Sequence, residues 1–228
     1  MHPYLFFPKL FEFVGLGDFA NAYPHVVYSW VVMIFLVVVG FLATKAISMV
    51  PGKLQNFFEM VISGIEDFMV DTAGEEGRWF FPLIATIFIY IFVCNLSGMI
   101  PGFFPPTASI NTTLSCALVV FVFTHFIGVK YHGAAYIKHF LGAVWWMAPL
   151  FFVIELIGHS ARVLSLTFRL FGNMMGHETL LGILFFLAGF FLVPLPIMAM
   201  GIFVALVQAF VFFLLSIIYF QGAMEHAH

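Results

Sequence analysis

The sequence predicts an all-α integral membrane protein: about five spanning helices, one amphipathic surface helix and a long closing helical hairpin. Three observations carry this expectation. The 228 residues are 63% hydrophobic and 8% charged, with a mean hydropathy of +1.10, whereas soluble domains carry about 25% charged residues. Apolar runs long enough to cross a bilayer recur along the chain. Between them lies one segment that mixes charge and hydrocarbon at helical spacing. So little polar surface could not cover the molecule against water, and its solvent is lipid. The net charge of −3 offers no basic footprint, so no nucleic acid partner is expected.

A single polytopic domain over residues 1–228 is expected. The N-terminal tail, 1–25, is interrupted by Lys9, Glu12, Asp18 and prolines. It lacks the continuous apolar core of a cleavable signal, so the first apolar segment is expected to stay in the mature protein. Val26 to Thr44 holds no charge over 19 residues, about 30 Å of helix and the thickness of a bilayer core. It anchors a first span over 26–48.

Residues 51–72 place Leu54, Phe57, Phe58, Val61, Ile62, Ile65, Phe68 and Met69 at i, i+3, i+4 and i+7 spacing, with Glu59, Glu66, Asp67 and Asp71 between them. That pattern makes an amphipathic helix, lying on the membrane surface or against other helices. A second span over 79–100 ends at the proline and glycine cluster from Pro101 to Pro106. A third follows over 108–129. Lys130 to Phe140 reads as a connector with tyrosines and lysines at headgroup level. The closing hairpin runs over 141–192 and 197–220, broken at Val193–Pro196.

Lys45, Lys53 and Arg78 lie between the first two spans, and Lys130 and Lys138 follow the third, while the loop from Pro101 to Ser109 has no lysine or arginine. The positive-inside rule then puts the N-terminus outside and the C-terminus in the cytoplasm. Cys94 and Cys116 sit in apolar runs and read as small core residues.

The informative stretch is Arg162 to Glu178, RVLSLTFRLFGNMMGHE. At about 100° per residue, one helical stripe carries Glu155, Arg162, Ser165, Arg169 and Asn173, while Glu178 projects to roughly the opposite side. A charge at bilayer centre costs about 2.5–3.5 kcal/mol on insertion scales, so such residues face a partner, a water-filled cavity or an ion path. Glu155 and Arg162 could form a structural i, i+7 pair. Arg169 has no carboxylate at i±3 or i±4, which implies a partner from another helix or another subunit. Guanidinium stays protonated in essentially any protein setting; Glu178 has the opposite character, a carboxyl that can take up and release a proton.

The run SLTFRLFGNMMGHE resembles subunit a of the F-type ATP synthase membrane sector. So do KHFLGAVWWMAPLFFVIELI upstream, VALVQAFVFFLLSIIYF downstream, and LQNFFE, FFPLIATIFIYIFVCNLSGMIPG and PTASINTTLSCAL before them. The likeness covers nearly the whole chain. It implies the static half of a rotary proton motor, not catalytic by itself, in a cell membrane such as the bacterial inner membrane. It also implies a ring of c subunits, b subunits of a peripheral stalk and the remaining synthase subunits as partners, with lipid around them. Two offset half-channels would lead to the ring's carboxylates. By the same resemblance, Arg169 separates the half-channels and faces the ring, and Asn173 and Gln208 flank it. Glu178 and Glu155 occupy half-channel carboxyl positions, and Ser165 a polar position on the same helix. The closing hairpin would be strongly tilted to follow the ring. Some members carry a histidine on the last helix where this chain has Gly201, and His177 could replace it. A position that is aspartate in some members is Ser109 here.

The other polar residues leave two readings open. Asn95, Ser97, Asn111 and Thr112 could tie helices together or line a channel. His125, His132 and His139 recur every seven residues, as a relay or a solvated face. His159 could line a channel or pair with Glu155. The terminal EHAH has metal-binding composition on a tail expected to fray, and no HExxH spacing supports a zinc peptidase. No metal or cofactor is expected, and no GxxxxGK[ST] loop is present for ATP chemistry. On the residues alone, an ion-coupled secondary transporter using Arg169 and Glu178, or a scaffold whose charges dock a partner, remains an alternative.

Overall fold

A computed structural model describes residues 17–45, 52–100, 102–133, 136, 148–188 and 194–224. Outside the described residues lie the tail before Gly17, the end of the 26–48 segment, Pro51, Pro101 and residues 134–135 and 137–147 of the connector and hairpin start. So do residues 189–193, with Val193 of the hairpin break, and the terminal 225–228. Seven α-helices and two 3₁₀ turns make up the described residues, with no strand among them.

The helices are α1 (Gly17–Ala22), α2 (Pro24–Thr44), α3 (Lys53–Ala73), α4 (Phe81–Ser97), α5 (Ile110–His132), α6 (Ala148–Ala188) and α7 (Pro194–Met224). The 3₁₀ turns span Glu75–Trp79 and Pro106–Ala108. Helices α2, α5, α6 and α7 are long and apolar enough to cross a membrane, and α4 is a shorter apolar helix. The protein is an all-α, multi-pass integral membrane protein.

Length governs how the last two helices can sit. The 41 residues of α6 extend about 60 Å and the 31 of α7 about 46 Å, against a hydrocarbon core of about 30 Å. A helix of α6's length cannot stand upright in that layer and keep its apolar residues in it. It has to tilt.

The core forms where α4, α5 and α7 meet, with α3 and α6 against it. Buried Phe80, Ile84 and Ile91 pack with Val120 and Ile127 of α5 and with Phe212, Phe213, Ile217 and Phe220 of α7. Phenylalanine does much of this work: Phe80 meets Phe220 edge-on at 5.3 Å between centroids, and Phe88 meets Phe213 at 5.3 Å. The amphipathic α3 divides its apolar stripe. Phe68 packs on Phe210 of α7 at 5.1 Å and Met69 is fully buried, while Phe57 and Met60 stay exposed. One end of α3 therefore docks on the bundle and the other presents hydrocarbon outward.

Helix ends follow backbone chemistry. Gly74 closes α3 at φ 77°, with its N–H donating to the Val70 carbonyl at 2.8 Å; this left-handed conformation favours glycine. Gly133, at φ 55°, does the same after α5. Beside that end Lys130 Nζ lies 3.5 Å from the Trp79 ring centroid, and Trp79 Nε1 donates to Tyr131 Oη at 3.3 Å. These amphipathic groups suit headgroup level.

Inside the bundle, Asn95 joins three elements. Thr107 Oγ1 donates to Asn95 Oδ1 at 2.7 Å, and Asn95 Nδ2 donates to the Ala205 carbonyl at 3.4 Å. Both side chains are fully buried, where an unmade hydrogen bond is costly. Asn95 thus ties α4 to α7 and to the turn before α5. Cys94 is buried and Cys116 half-buried, and both are free thiols.

Candidate functional site

The polar residues of Arg162 to Glu178 lie on one uninterrupted helix, α6, so their order along it is also their order in depth. Glu155 precedes Arg169 by about 21 Å and Glu178 follows it by about 14 Å, at 1.5 Å per residue. The two carboxyls are held far apart, on opposite sides of the arginine.

Arg169 is exposed. Its Nη2 donates to Ser165 Oγ at 3.1 Å, one turn earlier, and it makes no ion pair among the described residues. Its neighbours on α6, Leu164, Phe168 and Met175, are also exposed, as are Leu206, Val207 and Phe210 of α7. A permanent cation set in exposed hydrocarbon calls for a counter-charge that none of the described residues brings to it.

One turn beyond, Asn173 Nδ2 donates to Gln208 Oε1 at 2.5 Å and fastens α6 to α7. Gln208 is 4% exposed, yet its Nε2 has no hydrogen-bond partner among the described residues. A buried amide nitrogen carries two N–H donors, so this spot favours a polar guest over lipid. Asn173→Ala should lower the melting temperature of the assembled membrane sector, because Gln208 Oε1 would lose its donor at a cost of about 1–3 kcal/mol. The double change Asn173→Ala with Gln208→Leu should recover part of the loss in the same thermal melt.

His177 is buried between the two helices, with Nε2 3.3 Å from the Ile197 carbonyl. Its imidazole fills the space over Gly201: a methyl group at that position would overlap the ring and approach Met99 Sδ at 2.7 Å. Glu178, the next residue, is half-buried. Glu155 Oε1 lies 3.1 Å from His159 Nε2, so its partner is one turn away and is not Arg162. The Arg162 guanidinium carbon instead lies 5.5 Å from the centre of the Tyr219 ring.

The structure therefore joins Arg169 to Ser165, Asn173 to Gln208, and His177 to the Gly201 gap. It does not gather Glu155 and Glu178 with them. Sequence reasoning set His125 in a seven-residue series, whereas the structure seats it beside His159, with ring centroids 4.8 Å apart. The available signal was that His125 lies inside an apolar run, where a histidine needs a partner. No group of three or more His, Cys, Asp or Glu side chains that could hold a metal occurs among the described residues.

Fold and site together define a multi-pass membrane protein whose closing hairpin exposes Arg169, which has no ion pair among the described residues, between two separated carboxyls. A family model described as ATP synthase A chain matches residues 26–221. The chain is 70% identical over 227 residues to ATP synthase subunit a of Desulfosudis oleivorans, covering 100% of this chain and 99% of that relative. It is 58% identical over 238 residues to ATP synthase subunit a of Syntrophobacter fumaroxidans, with 100% and 99% covered. It is also 58% identical over 231 residues to ATP synthase subunit a of Citrifermentans bemidjiense, with both chains fully covered. The chain belongs to the ATP synthase A chain family, the membrane part of a complex that joins proton transport to ATP synthesis.

Proposed function

We propose that this chain is the static proton-translocating subunit of a rotary ATP synthase, forming two offset half-channels beside a ring of c subunits. The observation that carries the reading is Arg169: exposed, permanently charged, surrounded by hydrocarbon, and bonded among the described residues to a neutral serine and to no carboxylate. A passing carboxylate on a partner is the counter-charge it lacks. The guanidinium draws that carboxyl into its ionised form and bars protons from crossing directly between the two sides.

The separated carboxyls fit this division. Glu178, with His177 beside it, serves one half-channel near the outer end of α6. Glu155 serves the other toward the cytoplasmic end, with the N-terminus outside and the C-terminus inside. Asn173 and Gln208 flank the arginine and hold the hairpin closed, and the orphaned Gln208 Nε2 supports a hydrated path there. Ser165 positions the guanidinium. The tilt that α6 requires by its length would keep its exposed face against a curved ring. Further partners are the b subunits of the peripheral stalk, the other synthase subunits and lipid, in the plasma or inner membrane of a bacterium.

The test is assembly followed by transport. Gentle extraction should bring a small two-helix proteolipid with this chain. Reconstituted alone in liposomes, the chain should neither dissipate a proton gradient nor accumulate solute, and adding the ring should restore gradient-driven proton flux. Accumulation of a solute by the isolated chain would instead identify a secondary transporter.

A further inference from the structure

A chain of titratable side chains runs from the connector after α5 into the contact between α5 and α6. Tyr136 Oη lies 2.9 Å from His125 Nδ1. The His125 and His159 rings meet edge to face at 4.8 Å, and His159 Nε2 reaches Glu155 Oε1 at 3.1 Å. The arrangement has a built seat. His159 is 8% exposed, Phe121 packs on both imidazoles at 4.3 and 6.3 Å, and a methyl group at Gly128 would overlap the Tyr136 ring.

At His159 the chain borders a cleft of about 10 Å³, room for about one water molecule. His159, Arg162 and Thr124 line it with Tyr219. Among the described residues, the titratable and charged groups around the two histidines include Tyr136 from the connector, Glu155 and Arg162 from α6, and Tyr219 from α7. Lys130, on the same helix as His125, is turned onto Trp79. Burial, and then the neighbouring Glu155, hold the Tyr136 hydroxyl above its ordinary range, so it remains an O–H able both to donate and to accept.

We propose that Tyr136, His125, His159 and Glu155 form a proton relay across the contact between α5 and α6, from Tyr136 beyond the C-terminal end of α5 to the carboxyl of Glu155, with Arg162 as a fixed charge one turn past His159. The inference rests on the half-channel reading above and extends it from one carboxylate to a connected path. An imidazole can accept a proton on one nitrogen and release another from its second. Tyr136 engages Nδ1 of His125, and Glu155 engages Nε2 of His159. Transfer between the rings therefore uses the other nitrogen of each, directly or across one water. For every proton entering at one end, one leaves at the other, and no group changes its net charge after a full cycle. Arg162 cannot carry the proton onward.

The experiment uses the assembled synthase in inverted membrane vesicles, with ring content measured in every preparation. His159→Ala and His125→Ala should each reduce proton pumping about tenfold or more, change its pH profile, and regain flux when imidazole is added to the medium. His159→Gln keeps a donor toward Glu155 but cannot titrate; should the alanine variants fail to assemble, the assembled glutamine variant is read instead, with the same loss expected. Wild-type flux and pH profile in an assembled variant would overturn the relay. So would a loss in the alanine variants that imidazole does not restore, since that marks a packing role. Arg169→Ala in parallel separates the two readings: if it abolishes coupling while the histidine variants behave as wild type, the relay fails and the stator assignment stands.

Discussion

Replacing Arg169 by alanine is expected to abolish ATP synthesis driven by an imposed proton gradient. A guanidinium about 4 Å from a ring carboxylate contributes on the order of 4 kcal/mol at an effective dielectric of 20. At 1.4 kcal/mol per decade, that changes the carboxyl's proton occupancy by roughly a thousandfold, enough to decide whether each passing group is ionised. Without it the ring carboxyls would stay protonated past the barrier, and protons could cross with no rotation. Coupled synthesis should fall to background while the ring still copurifies. Arg169→Lys should recover little. Lysine has no planar fork to bond Ser165 and a carboxylate together, and it can give up its proton. Synthesis at near-normal rates in an assembled Arg169→Ala complex would refute the stator assignment.

The second large effect is expected at Gly201. The His177 ring already occupies the volume that a β-carbon there would need, with Met99 pressing from the turn after α4. Gly201→Val should therefore drive the imidazole away from the Ile197 carbonyl and from its place beside Glu178. Overpacking of this kind costs about 1–3 kcal/mol, visible as a lower melting temperature. On the proposed role of Glu178 as a half-channel carboxyl, proton flux should fall with it, because the neighbouring histidine is displaced. The informative variant exchanges the two residues, His177→Gly with Gly201→His. It returns an imidazole to nearly the same space from the opposite helix and relieves the overlap. Its synthesis rate should exceed that of either single change. A double variant no better than the singles would show that the location of the imidazole is not what matters.

Much of this protein could be read directly from its residues. The all-α membrane architecture followed from composition and uninterrupted apolar length, because hydrocarbon solvent leaves a spanning chain few choices beyond the helix. The stripe of Glu155, Arg162, Ser165, Arg169 and Asn173 followed from helical periodicity, a property of one segment. The absence of any acidic residue within a turn of Arg169 was likewise local and pointed to an external partner. The division of α3 was less legible. Its spacing marked a surface helix, yet Phe68 and Met69 are taken into the bundle while Phe57 and Met60 are left outside; periodicity identifies an apolar face without saying what covers each turn of it.

What the sequence by itself determined is therefore everything set within one helix: the order of the charges along α6, their common face, and a length that forbids an upright crossing. Only the tertiary structure decided which helices share their polar groups. It joined Asn173 to Gln208, His177 to the gap at Gly201, and His125 to His159, and it gave Glu155 a histidine in place of Arg162. The physical reason is that lipid tails are as apolar as a neighbouring helix, so hydrophobicity does not say which face meets protein. Interhelical packing makes that choice, and it depends on shapes and hydrogen bonds from segments far apart in the chain.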